Sequence, residues 1–371
     1  MRPLALGAIA AALLSSASWA VPIHDVSKRE ISELPRLVIY FQTTHDSDGN
    51  PISMLPLITE QGIALTHLIV CSFHINAGEN ITLNDYSPYD PHFYTLWNET
   101  VIMQQAGVKV TGMIGGASAG AFDSDTLDST DDATFEYYYS QLYDVIQYYG
   151  LQGMDLDVEQ AMSQDGITRL VSRLNADFGD GFIITLAPVA TALEGLANLS
   201  GFNYTELAGA AVTTAGVEMI HFMNTQFYSG FGTMAYPTNF EYIVANGWAP
   251  TEIVAGQLTN PLNGGGYTDI GTLNQTVIEL VEMYGTIGGI MGWEYFDSLP
   301  GGTAAPWEWA QDMTAILRPN DTLTLDITNE TATILNAAWQ ESVVQPSSAS
   351  SSADSTQSTQ ATVDYFAMVN A

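Results

Sequence analysis

Residues 153–159 read GMDLDVE, a strand-length run in which Asp155, Asp157 and Glu159 alternate with Met154, Leu156 and Val158. Side chains leave a β-strand alternately to its two faces, so the three acids share one face and the apolar residues the other. Like charges held that close raise one another's pKa. The arrangement costs stability, and so marks a site where one acid is meant to stay protonated.

Similar apolar runs recur on either side of it: LVIYFQ (37–42), LTHLIVCSFHIN (65–76), VKVTGMIGG (108–116), FIITLAPVA (182–190), MIHFMNTQFYS (219–229), EIVAGQLT (252–259) and IGGIMGWEYF (287–296). Between them the period changes to that of a helix. Ile167, Leu170, Val171 and Leu174 repeat at i, i+3, i+4 and i+7, as do Val277, Leu280, Val281 and Tyr284. The aromatic-rich YYYSQLYDVIQYY (137–149) reads as a helix packed on the sheet. Eight strands alternating with helices predict an α/β chain, best fitted by a single (β/α)8 TIM barrel over 37–318; a doubly wound open sheet is the alternative on pattern alone.

Composition narrows the ligand. The 371 residues carry 8 Lys plus Arg against 41 Asp plus Glu, and between Leu37 and Leu317 the basic residues are Lys109, Arg169 and Arg173. Nucleic acid and anionic membranes need cationic patches, so both are excluded as partners, whereas a neutral sugar fits. A single cysteine, Cys71, lies in an apolar run and reads as a buried hydrophobe. His67, His74 and His221 fall within strands and lack metal-ligand spacing, so they read as packed core histidines.

The start of the chain, MRPLALGAIAAALLSSASWA (1–20), has the form of a secretory signal, and residues 21–36 contain a dibasic Lys28-Arg29. Secretion is therefore expected, and it gives meaning to Asn-x-Ser/Thr sequons at Asn80, Asn98, Asn198, Asn203, Asn274, Asn320 and Asn329. Beyond 318 the Ser/Thr-rich tract PSSASSSADSTQSTQAT (346–362) has no periodic apolar face and reads as a disordered or processed tail within 319–371.

In a barrel, catalytic groups gather at the C-terminal ends of the strands. On the fourth strand Asp155 lies deepest, Asp157 next and Glu159 at the mouth. Other strand ends add Gly115 and Gly116 on the third, Tyr228 on the sixth and Trp293 on the eighth, with Asn224 and Gln226 facing the same way as Tyr228. Small residues leave room for a sugar, a tyrosine hydroxyl can bond a carbonyl, and an indole can floor a sugar subsite.

These residues resemble glycoside hydrolase family 18, whose fourth strand carries Asp-Gly-x-Asp-x-Asp-x-Glu on a barrel of this kind. Here the motif stands as QGMDLDVE, with Gln152 in place of the first Asp, and the third-strand Ser-x-Gly-Gly stands as MIGG, with Met113 in place of Ser. LVIYFQTTHDSDGNPISMLPLI, GMDLDVEQ and IMGWEYFDSLPGGTAAPWEWA look like the secreted fungal endo-β-N-acetylglucosaminidases of that family, and the resemblance covers most of residues 35 to 318.

The resemblance implies retaining hydrolysis assisted by the substrate's own 2-acetamido group. Glu159 would be the general acid, Asp157 would orient the acetamido group, Asp155 would support Asp157, and Tyr228 would bond the acetamido oxygen. Trp293, Gln226, Asn224, Gly115 and Gly116 would line the subsites. The expected substrate is the chitobiose core of a high-mannose Asn-linked glycan on a glycoprotein. The alternatives are a chitinase acting on chitin oligomers and a sugar-binding protein without activity, the last opposed by the retained acid. Three acids could also hold magnesium or calcium, but the resemblance argues against it; no metal and no cofactor are expected, and the chain is expected to be a monomer.

Overall fold

The computed structural model describes residues 33–321 and 323. The expected signal segment, the Lys28-Arg29 pair, the Asn329 sequon and the 346–362 tract lie outside the described residues.

The strands are β1 (Arg36–Phe41), β2 (His67–His74), β3 (Thr82–Leu83), β4 (Lys109–Gly115), β5 (Gly153–Asp157), β6 (Ile183–Leu186), β7 (Ile220–Gln226), β8 (Ile253–Leu258) and β9 (Gly289–Trp293). All but β3 run parallel, each joined to the next through helix or loop. Because β1 pairs with β2 on one side (Val38 opposite His67) and β9 on the other (Arg36 opposite Gly289), the sheet closes. The chain is a single (β/α)8 barrel, and the open-sheet alternative falls on that closure.

The two-residue β3 was not foreseen. It lies antiparallel on β2, with Phe73 opposite Leu83, and is too short for any periodic signal.

Parallel strands are covered on both faces, which is why these runs are apolar almost throughout. Their outward residues, such as Leu37, Ile39, Leu68, Val110, Met154 and Leu156, join the helices in the larger core. Their inward residues form a second, smaller core of Val38, Tyr40, Ile69, Cys71, Met113, Ile183, Phe222, Val254 and Met291 inside the barrel. Met113 thus fills barrel space, and Cys71 is a buried free thiol. His67 is buried as well, its ring held neutral with a pKa lowered to about 3 by burial and by the nearby Arg36 and Lys109 charges. Gln152 enters β5 by pairing with Val110: its backbone N–H donates to Val110 O at 2.8 Å and its Oε1 accepts from Val110 N at 2.9 Å.

The helix Gln164–Phe178 buries Ile167, Leu170, Val171 and Leu174 as the spacing predicts, and Ser163 caps it by accepting from Gly166 N. The helix Asp132–Tyr149 likewise turns Tyr138, Tyr139, Leu142 and Tyr149 inward. In the helix Ile270–Tyr284 the buried stripe is Leu273, Thr276, Val277 and Leu280, one turn earlier than expected, and Val281 is 40% exposed. Thr276 is what hid the true stripe, because a polar side chain occupies a packed position there. Among the described residues no helix is long and apolar enough to cross a membrane.

The sequons divide by exposure. Asn80, Asn203 and Asn320 are exposed, and Asn198 and Asn274 are half-buried. Asn98 is 2% exposed inside the helix Tyr94–Gln105. A glycan at Asn98 is incompatible with the folded chain, which overturns that part of the expectation.

Candidate active site

The carboxylate ladder on β5 points into the barrel, graded in depth as the alternation requires. Asp155 is 0% exposed, Asp157 5%, and Glu159 lies half-buried just past the strand end.

Asp155 is held from three sides. Tyr40 Oη donates to its Oδ2 at 2.5 Å, and Thr185 Oγ1 and Asn224 Nδ2 donate to its Oδ1 at 2.6 and 3.0 Å. Burial raises its pKa, while these three bonds to the charged form oppose the rise. Asn224, expected to line a subsite, is 0% exposed beneath the cleft. It therefore supports Asp155 and is out of a sugar's reach.

Asp157 and Glu159 share one donor. Gln226 Nε2 donates to Asp157 Oδ1 at 3.1 Å, to Glu159 Oε1 at 3.2 Å and to Ala187 O at 3.0 Å. Two amide hydrogens thus serve three acceptors. The pKa of Asp157 is pushed well above the carboxylate range by burial first, then by the charges of Glu159 and Asp155. That of Glu159 is also raised by burial, against the bond from Gln226. Burial, not Asp157's charge, is the leading cause at Glu159. The two carboxyls therefore do not both ionise readily, and they share a proton above the ordinary carboxylate range.

The glycines after β4 play two different parts. Gly115 has φ +103°, and a Cβ there would lie 2.2 Å from Asp157 O and 2.5 Å from Phe122 Cε2. Its small size therefore makes room for protein backbone, not for a sugar as expected. Gly116 N donates to Asp157 O at 2.9 Å, and a Cβ there would face Asp157 Oδ2 at 3.8 Å, so Gly116 keeps the side of that carboxylate open.

Tyr228 stands two residues past β7, 8% exposed, its hydroxyl kept protonated by burial and by the charges of Asp157 and Glu159. The loop after β8 straps it in place, with Ser229 N donating to Gly265 O at 2.7 Å. Trp293, half-buried at the end of β9, packs its ring on Tyr40 with centroids 5.5 Å apart. Tyr40 thus supports two members of the site, Asp155 by its hydroxyl and Trp293 by its ring.

Tyr40, Thr185 and Glu294 were missed in the sequence. Glu294, 8% exposed, accepts from Thr43 N at 2.7 Å, from Gln42 N at 3.2 Å and from Thr43 Oγ1 at 2.8 Å, clamping the end of β9 to the end of β1. Period-two alternation from Val38 does turn Tyr40 inward, but nothing along one strand names its partner on another. Among the described residues no group of three His, Cys, Asp or Glu is placed to hold a metal ion.

The arrangement can donate a proton from Glu159, stabilise positive charge beside Asp157 and give a hydrogen bond from Tyr228. Comparison with known proteins points the same way. Residues 36–252 match the family model described as Glycosyl hydrolases family 18. Chitinase 1 of Rhizopus niveus is 26% identical over 219 residues, a match that takes in 55% of this chain and 40% of that protein, so the chain spans less than half the relative's length. The solved structure of a fungal endo-beta-N-acetylglucosaminidase from glycosyl hydrolase family 18 is 64% identical, with TM-score 0.75, covering 78% of this chain and 100% of that one. The chitinase ChiC from Aspergillus fumigatus is 43% identical, with TM-score 0.66, covering 75% of this chain and 98% of its own.

Proposed function

The chain belongs to glycosyl hydrolases family 18, and on that premise we propose that it is an endo-β-N-acetylglucosaminidase that cuts between the two N-acetylglucosamines of high-mannose Asn-linked glycans. The observation that carries this reading is the 64% identity, over the whole length of a fungal endoglycosidase, of a chain that keeps the full acid ladder.

The chemistry is that which the family resemblance implies, and the geometry of the site supports it. The sugar to be cleaved lies over Trp293 with its acetamido group between Asp157 and Tyr228. As the acetamido oxygen attacks the anomeric carbon, positive charge grows on the acetamido group. That charge favours the ionised form of Asp157, so the proton shared by the pair settles on Glu159, which passes it to the departing oxygen. Tyr228 donates to the attacking carbonyl oxygen and fixes its direction. Asp155, anchored by Tyr40, Thr185 and Asn224, lies one rung below Asp157 and acts on it through its field. Water then opens the oxazolinium ring with Glu159 acting as base, and the configuration is retained.

The same reading has the enzyme secreted, supported by the form of residues 1–20. The test is a digestion of a folded high-mannose glycoprotein beside a chitin oligomer. The expected outcome is one N-acetylglucosamine left on each processed asparagine and a released oligosaccharide ending in a single N-acetylglucosamine. Intact glycoprotein beside hydrolysed chitin oligomer would replace this reading with a chitinase, which the 43% identity to ChiC makes the natural second choice.

A further inference from the structure

The inner layers of such a barrel are ordinarily filled by branched apolar side chains. The lowest layer here is different. Arg36, His67 and Lys109 are the first residues of β1, β2 and β4. Val38, which belongs to the inner core, lies opposite His67, and His67 lies opposite Lys109, so both turn toward the barrel axis. Arg36, two residues before Val38, turns the same way. All three stand at the N-terminal ends of the strands, the face of the barrel remote from the acids.

A cavity of about 240 Å³ opens there, walled by His67, Lys109, His221, Phe222 and Ile183. Glu33 is the one carboxylate in its wall, and it is turned to Arg36 at 2.7 Å. The Arg36 guanidinium lies over the Phe222 ring, 4.3 Å from its centroid, so a second positive charge stands behind the wall.

Lys109 is exceptional among the cations. Every other Lys or Arg of the described residues is engaged: Arg36 with Glu33, Arg173 with Glu136 and Asp177, Arg318 with Asp321, and Arg169 with the Phe135 ring and the carbonyls of Leu127 and Ser129. The Lys109 ammonium has no ion pair or hydrogen bond among the described residues. In a chain of 41 Asp plus Glu against 8 Lys plus Arg, a lysine left without an acid is out of proportion.

His67 supplies the second group. Its ring is 3% exposed, and Nδ1 lies 2.9 Å from Thr66 Oγ1 in hydrogen-bond contact, which leaves Nε2 without a partner among the described residues. A buried ring nitrogen without a partner is costly until a ligand meets it. Leu37 O already accepts from Thr66 N at 3.0 Å, so the Thr66 hydroxyl can turn its proton to His67 Nδ1. The ring's own proton then sits on Nε2, and His67 donates into the cavity without being charged. Burial first, then the charges of Arg36 and Lys109, keeps the ring neutral. An anion relieves that crowding of positive charge, whereas a metal ion is repelled by it.

We propose that this cavity binds a small oxyanion of the phosphate class, held by the Lys109 ammonium and by Nε2 of His67. The proposal is independent of the endoglycosidase reading. Because the ligand joins the starts of β2 and β4, far from the acids, its effect is on stability and not on turnover.

The test is titration of the protein with inorganic phosphate in mildly acidic buffer, with chloride keeping the ionic strength constant, followed through the histidine ring signals in NMR. The chain has 6 histidines, so single substitutions identify each signal. The expected result is saturable movement of the His67 signal while those of His45 and His92 stay still. Half-saturation in Lys109→Gln is expected to need about tenfold more phosphate, the worth of one charge-assisted hydrogen bond. Lys109→Arg is expected to bind within about threefold of wild type, since the charge is kept. Phosphate is also expected to raise the Tm of wild type more than that of Lys109→Gln, whereas a general salt effect raises both alike.

An unchanged Tm of Lys109→Gln in chloride certifies the fold of the variant. A His67 signal that stays still, drifts without saturating, or saturates at the same phosphate concentration in Lys109→Gln overturns the proposal.

Discussion

Gln226 Nε2 donates to Glu159 Oε1 at 3.2 Å while holding Asp157 Oδ1 at 3.1 Å, so one amide sets the balance between the two acids. The bond stabilises ionised Glu159 and opposes the upward shift that burial produces. Replacing Gln226 by Leu removes that opposition. The fall in rate at high pH, which follows loss of the Glu159 proton, is then expected to move to higher pH, with a lower maximum because Asp157 is no longer held. A pH profile of kcat/KM checks this, and an unshifted upper limb would contradict it.

Glu159→Gln removes the proton donor while preserving shape. A loss of about 10²–10⁴-fold in kcat is expected, the usual worth of a positioned general acid. Asp157→Asn is expected to keep more activity, since an amide still hydrogen-bonds to the acetamido group. Near wild-type turnover in Glu159→Gln would remove it from the role of acid.

The same acids make stability fall with pH. Asp155, Asp157 and Glu159 have folded pKa values above their unfolded ones. Over the window from the ordinary carboxylate range up to the raised values, the folded state binds more protons than the unfolded, so stability declines as pH rises. Neutralising a member of the pair lifts that penalty. Asp157→Asn is expected to raise Tm at pH 7 by about 2–4 °C, the shift that roughly 1 kcal/mol produces in a domain of this kind, with a smaller difference at pH 4. Calorimetry at both values decides it, and a Tm lowered at pH 7 would show that the carboxylate is not a net cost.

Gly115→Ala must place a methyl group 2.2 Å from Asp157 O at a backbone φ of +103°. Backbone strain of this sort costs roughly 1–3 kcal/mol before any clash is counted. Urea unfolding is expected to show a loss of at least that size, together with lower kcat from a displaced Asp157. Gly116→Ala, whose Cβ would find its nearest neighbour at 3.7 Å, is expected to hurt folding less. Equal costs at the two positions would break the argument.

The fold was legible because the barrel strands are mostly apolar on both faces and segments of helical period separate them. The ladder was legible because acids at 155, 157 and 159 interrupt one face of a strand that is otherwise apolar. What escaped was whatever depends on two strands meeting. Tyr40 bonding Asp155, Thr185 doing the same and Glu294 gripping Thr43 span 115, 30 and 251 residues respectively. Local pattern also misled at particular residues of the site and surface. Asn224 faces inward as alternation says, but too deep for a ligand; Gly115 is small to admit backbone; and a sequon does not reveal that Asn98 sits on a helix's buried face.

The barrel closes where its first strand meets its last, and that seam is also the floor of the site. Trp293 and Glu294 are among the last barrel residues to leave a ribosome, yet they pack on Tyr40 and bind Thr43 from the first strand. A nascent chain halted between residues 159 and 293 has its whole acid ladder and nothing beneath the sugar. Activity therefore arrives with the completed barrel and not by degrees during synthesis, and a polypeptide cut short by a premature stop in this region makes an inert product.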